Sequence, residues 1–175
     1  MKSVLISIQP KWCELIASGK KTVEVRKNRP KVDTPFKVYI YETNWKDNTY
    51  WKNYHKDKLG KVIGEFVCNE IYSLSQALSG IAVVDMDWCL IDPDWFRDAS
   101  CLTDEEVCNY LNDNDGFGWL ISDLVIYDKP KELSEFHPYC NHADYCTECK
   151  NYDFDTKDCR RIKRPPQSWC YVEKE

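Results

Sequence analysis

The stretch PKWCELIASGKKTVEVRK, residues 10–27, decides the reading of the fold. Pro10 opens a helix and Gly19 closes it. Proline's fixed φ suits a first turn, and glycine accepts the left-handed backbone that ends one. Trp12, Leu15 and Ile16 fall on one stripe of that helix. After Gly19 the period changes from 3.6 to 2. Val23 and Val25 turn to a core, while Thr22, Glu24 and Arg26 share the opposite face of a strand. Lys21 stands at the junction of the two elements. The polar face has two readings. One is a solvated ion pair, worth under about 1 kcal/mol. The other is the wall of a cleft, in which Lys21 and Arg26 hold a phosphate and Glu24 orients the arginine or acts as a base.

Outward from this unit, VLISIQ (4–9), PFKVYIYET (35–43) and QSWCYVE (167–173) read as strands. KVIGEFVCNEIYSL (61–74) and FGWLISDLVIYD (117–128) read as two long strands, the first bent near Gly64. TDEEVCNYLND (103–113) reads as a helix, with Thr103 and Glu106 as a capping box and Val107, Tyr110 and Leu111 as its apolar face. Residues 76–102 read as irregular. No βαβ rhythm and no glycine-rich phosphate loop is seen. The pattern implies an α+β chain, mainly β: a small mixed barrel with one early helix and long decorated loops. One domain over residues 1–175 is expected, with insertions at 44–58, 76–113 and 137–163.

Net charge is −5, which argues weakly against general affinity for nucleic acid, but the charge is segregated. Residues 1–61 hold 14 basic and 6 acidic side chains, and residues 62–139 hold 3 and 16. A basic first third can form a local phosphate-binding face, or pair internally across the fold. No apolar run approaches the ~18 residues that a membrane span needs. MKSVLISIQPKW (1–12) reads as a first strand, not a signal peptide. A cytoplasmic protein is expected.

The motif and its setting resemble the opening of the ASCH family, a branch of the PUA-like superfamily. The family signature Gly-x-Lys-x-x-Glu-x-Arg is matched at Gly19, Lys21, Glu24 and Arg26. GKVIGEFVCNEIY (60–72), FGWLISDLVIYDKPKELSEF (117–136) and RPPQSWCYVE (164–173) are also similar to family members, and the last two look like a subgroup from phage and prophage genomes. The resemblance implies a PUA-like barrel whose cleft is lined by the signature residues and binds RNA or an RNA-derived nucleotide. Some relatives are ribonucleases. One subgroup hydrolyses N4-acetylcytidine with a lysine, a threonine and a glutamate, the threonine standing three after the lysine. Here that position is Glu24, which puts amidohydrolase activity in doubt.

Three further segments carry chemistry. In NWKDNTYWKNYHKDK (44–58), Trp45, Tyr50, Trp51 and Tyr54 alternate with lysines. Aromatics stack on unpaired bases at about 1–3 kcal/mol each, although the segment also suits a helical insertion packed on the barrel. Trp45, Trp51 and Lys11 therefore join Lys21, Glu24 and Arg26 as candidate RNA contacts. The aspartates between 85 and 98 lack EF-hand spacing and read as solvated. Cys140, Cys146, Cys149 and Cys159 can close a tetrahedral thiolate site for a structural zinc ion, with an iron–sulfur cluster as the alternative. Three functions follow. The first is a module binding single-stranded RNA or a modified nucleotide. The second is an enzyme on such a substrate, with Lys21 as activated amine and Glu24 as base. The third is a phage protein that binds a host protein through its acidic middle third.

Overall fold

The computed structural model describes residues 2–44, 57–77, 80–112, 114–140, 152–153 and 158–173, with backbone alone at 152–153 and 158–159. The chain divides into two compact units: Met1–Cys13, Lys37–Glu65 and Val125–Glu175 form one, Glu14–Phe36 and Phe66–Leu124 the other.

The first unit is built on a six-stranded sheet. Its strands are β1 (Ser3–Ile8), β3 (Phe36–Glu42), β4 (Val62–Cys68), β8 (Ser122–Lys131), β9 (His137–Pro138) and β12 (Trp169–Glu173), in the order β8-β4-β3-β1-β12-β9. β1 is buried along its whole length. That is the expectation for an apolar run with neighbours on both sides. It pairs parallel with β3, Val4 opposite Val38, and antiparallel with β12, Ser3 opposite Val172. Leu5, Tyr39, Val62, Phe136 and Val172 form the core of this unit. Tyr39 and Phe136 meet edge to face at 5.0 Å.

The second unit carries the antiparallel sheet β2-β7-β5-β6, made of β2 (Val23–Arg26), β7 (Gly116–Leu120), β5 (Ile71–Ala77) and β6 (Gly80–Val84). Helices α2 (Pro93–Ser100) and α3 (Asp104–Leu111) pack on one face of it. The core there joins Val23, Val25, Leu74 and Val83 to Phe96 of α2 and to Val107 and Leu111 of α3. Gly118 makes this approach possible, because a Cβ at that position would lie 2.9 Å from Val23 Cγ1 and 3.0 Å from Phe96 Cε2. The early helix, α1, runs Pro10–Ala17, and the chain leaves it through Gly19 at φ +73°.

Four expectations need correction. The stretch 61–74 is two strands, β4 and β5, broken at Asn69–Glu70. Asn69 and Glu70 put two polar residues in a row, so the alternation lapses where the strands part. At Gly64 a Cβ would meet the Val125 carbonyl at 2.5 Å, so the glycine permits close contact between β4 and β8. The stretch 117–128 is likewise split, at Ile121. Among the described residues of 76–102, Gly80–Val84 and Pro93–Ser100 are regular. β6 pairs with β5, and α2 starts at an Asp92 cap that accepts from the Asp94 amide, with Pro93 in the first turn. Finally, the two larger sheets of the described strands are open, with edges at β8 and β9 and at β2 and β6, and no closed barrel forms among the described residues. Each sheet has a core of its own, so neither needs to curl shut. Among the described residues, no helix is long and apolar enough to cross a membrane.

Candidate functional site

β2 is an edge strand, and it delivers the signature residues within one unit. Alternation predicted a polar outer face, but all four residues of β2 are buried. Lys21 is 2%, Glu24 6% and Arg26 7% exposed. The solvated ion pair is therefore excluded in favour of a desolvated cluster. Glu24 is its centre. Arg26 Nη2 lies 3.0 Å from Oε1, and Lys21 Nζ lies 3.5 Å from Oε2.

Helix α2 supplies the fourth member. Lys21 Nζ donates to the backbone carbonyl of Ser100 at 2.6 Å, and the Thr22 amide donates to the carbonyl of Ala99 at 2.8 Å. The last carbonyls of a helix lack partners inside it. Here the residues entering β2 satisfy two of them, and the ammonium stands at the negative end of the helix dipole. Burial lowers the Lys21 pKa below its ordinary 10.5, the largest influence, while Glu24 raises it and Arg26 adds to the lowering.

Tyr110 of α3 completes the cluster. It was expected to share the apolar face with Val107 and Leu111, but only those two are buried; Tyr110 is 40% exposed. Its hydroxyl is a hydrogen-bond partner of the Arg26 side chain. Burial raises the Tyr110 pKa, Arg26 lowers it and Glu24 raises it. Lys27 Nζ lies 5.4 Å from the centre of its ring, and Lys27 and Arg29 are exposed. Tyr110 and Ser100 thus belong to the site although no local pattern pointed to them. Their involvement comes from helix packing across some 80 residues of chain.

The other candidates are distributed as follows. Lys11 is exposed on α1, in the first unit, with Nζ 4.3 Å from the Trp12 ring centre. Trp45, Trp51, Cys146 and Cys149 lie outside the described residues. Cys140 is half-buried, and the backbone of Cys159 lies in β11 (Asp158–Cys159), paired with β10 (Tyr152–Asp153). Among the described residues, no group of three or more His, Cys, Asp or Glu side chains is arranged to hold a metal ion.

Residues 6–108 match the ASCH domain family, a span that includes Lys21, Glu24, Arg26 and Ser100 but not Tyr110. The chain belongs to the ASCH family. That family is PUA-like and is generally linked to RNA binding. Solved ASCH structures from Zymomonas mobilis share the fold. A tyrosine-to-phenylalanine mutant is 19% identical with a TM-score of 0.56, over 99% of this chain and 92% of that one. A serine-to-alanine mutant gives 19% and 0.56, over 98% and 89%. The ASCH protein itself gives 19% and 0.52, over 98% and 88%. A comparison with curated proteins found no significant match.

Proposed function

We propose that this ASCH chain is a PUA-like binding module for single-stranded RNA or an RNA-derived nucleotide, with its ligand held at the edge strand β2. The observation that carries this reading is the burial of Lys21, Glu24 and Arg26 together. Taking three charges out of water costs several kcal/mol per ion, and such groups often give little net stability. A buried lysine whose pKa is lowered by desolvation beside specific charged partners marks a candidate functional site. Next to the cluster, Tyr110 offers a partly exposed ring and Lys27 and Arg29 offer exposed cations, the groups that grip a base and a phosphate. Glu24 holds Arg26 in place, and Arg26 in turn holds the Tyr110 hydroxyl. Lys11, Trp45 and Trp51 extend the same reading as candidate contacts. A structural zinc ion on Cys140, Cys146, Cys149 and Cys159 belongs to it as well.

Crosslinking tests the module. The full chain is irradiated with a 4-thiouridine-substituted single-stranded RNA and digested. Crosslinks are expected on Tyr110 and on the peptide spanning residues 27–31. Crosslinks confined to other peptides, or none, would contradict the placement.

A second reading, catalysis, has one observation in its favour. Enzyme chemistry at Lys21 requires a lysine pKa lowered by desolvation, and burial lowers it here. The position of the expected threonine nucleophile is taken by Glu24, so a direct attack through that residue type is absent. Sizing the RNA after incubation, and assaying release of acetate from N4-acetylcytidine, separates the two readings.

A further inference from the structure

The face of the second unit's sheet that the helices do not cover carries a cavity of about 770 Å³. Its floor is Phe117 of β7 and Ile71 of β5, its wall is the turn Asn28–Thr34 that follows β2, and Met86 stands at its rim, 54% exposed. Phe117 lies opposite Arg26 in the β2–β7 register, so the cavity adjoins the signature strand without containing a signature residue. The Arg29 guanidinium carbon is 5.9 Å from the centre of the Phe117 ring.

From this placement we infer that the cavity is a nucleotide subsite: a base lies against Phe117 and Met86, and the attached phosphate meets Arg29. The inference rests on the RNA-binding reading above and extends it to a second position along the strand. The volume falls in the range of small-ligand sites, roughly 300–1,000 Å³. A planar apolar floor suits an aromatic heterocycle, and a polarisable thioether at the rim accepts several ring shapes. Arginine pairs with phosphate and also stacks on rings, so one side chain serves both parts of a nucleotide. Asn28 and Thr34 add polar groups suited to a base edge or a 2′-hydroxyl.

The test is fluorescence anisotropy of the full chain with labelled single-stranded RNA, comparing wild type with Phe117→Ala, Phe117→Tyr and Arg29→Ala. Loss of one stacked base is expected to weaken binding roughly 5- to 150-fold in Phe117→Ala, and Phe117→Tyr is expected to retain wild-type affinity. Arg29→Ala is expected to weaken binding and to reduce the slope of log affinity against log salt by about 0.7. Arg29 also counts among the module's cations, so should Phe117→Ala not fold, Met86→Ala at the exposed rim decides the matter: weakened binding at an unchanged salt slope supports the subsite, and wild-type affinity overturns it. Wild-type affinity in Arg29→Ala, together with wild-type affinity in any folded Phe117→Ala, overturns the subsite and leaves the module standing. No RNA binding by the wild type overturns both.

Discussion

The Lys21 ammonium donates to the carbonyl oxygen of Ser100 at 2.6 Å, across 79 positions of sequence, and so ties the entrance of β2 to the end of α2. This bond holds a charge in a place that disfavours it. The folded Lys21 pKa is lowered, with burial as the largest cause. Between that lowered value and 10.5 the unfolded chain binds more protons than the folded one, so stability contributed through this group rises with pH across that window. Lys21→Met should remove the rise. Urea midpoints of wild type and variant, measured from pH 7 to 10.5, should converge or cross as the pH increases. A constant difference would show that Lys21 is not desolvated.

Glu24 neutralises two buried cations at once. Glu24→Gln keeps the shape and removes the negative charge that lies against both Lys21 and Arg26. Breaking a buried pair from one side costs about 3–5 kcal/mol. Chemical denaturation should show a loss of that size, and a loss under about 1 kcal/mol would mean that the cluster is hydrated.

At α3 the Thr103 hydroxyl accepts from the Glu106 amide, and the Glu106 carboxylate accepts from the Thr103 amide. Thr103→Ala should cost about 1 kcal/mol, read as a shift in the denaturation midpoint. A larger loss of RNA affinity than this predicts would link the cap to the position of Tyr110.

Cysteine reactivity should follow burial. Burial pushes the Cys68 thiol up to about 12, so between about 9 and that value the folded state holds a proton that the unfolded chain loses. The stability that Cys68 contributes is therefore lost as pH rises through this window. At pH 8, iodoacetamide with peptide mapping should label exposed Cys89 quickly and leave Cys68 and Cys13 unlabelled until the chain unfolds. Early labelling of Cys68 would contradict its place in β4.

The cysteine spacing leads to a prediction about metal. Protein purified without added zinc should hold about one equivalent by elemental analysis, lost on replacing Cys146 and Cys149 by serine. Absence of bound metal would remove the zinc site from the account.

The sequence and the structure agree where a residue's role is local. Pro10 and Gly19 bound α1, the valines of β2 face a core, and the Thr103 box starts α3, because turn chemistry and side-chain period act over a few residues. Asp92-Pro93 was an equally local signal, and its reading as irregular chain overlooked a cap and a first-turn proline. The breaks at Asn69–Glu70 and at Ile121 fall where the alternation lapses, at a polar pair and at the apolar run Trp119–Leu120–Ile121, but a lapse of one or two residues also suits a bulge in a single long strand. The site was legible in part. Lys21, Glu24 and Arg26 are brought together as their spacing implied, whereas their burial, the Ser100 carbonyl and the Tyr110 hydroxyl come from helices packed onto the strand. Spacing along one strand carries no information about such neighbours.

The central claim is that this edge-strand cluster belongs to an RNA-binding site. It is tested most directly by anisotropy of the full chain with labelled single-stranded RNA across a salt series, with Arg26→Lys alongside and the RNA sized afterwards. The account predicts binding whose log affinity falls linearly with log salt, weakened when lysine replaces the arginine fork, with the RNA intact. No binding at low salt, or binding indifferent to the Arg26 change, would contradict it.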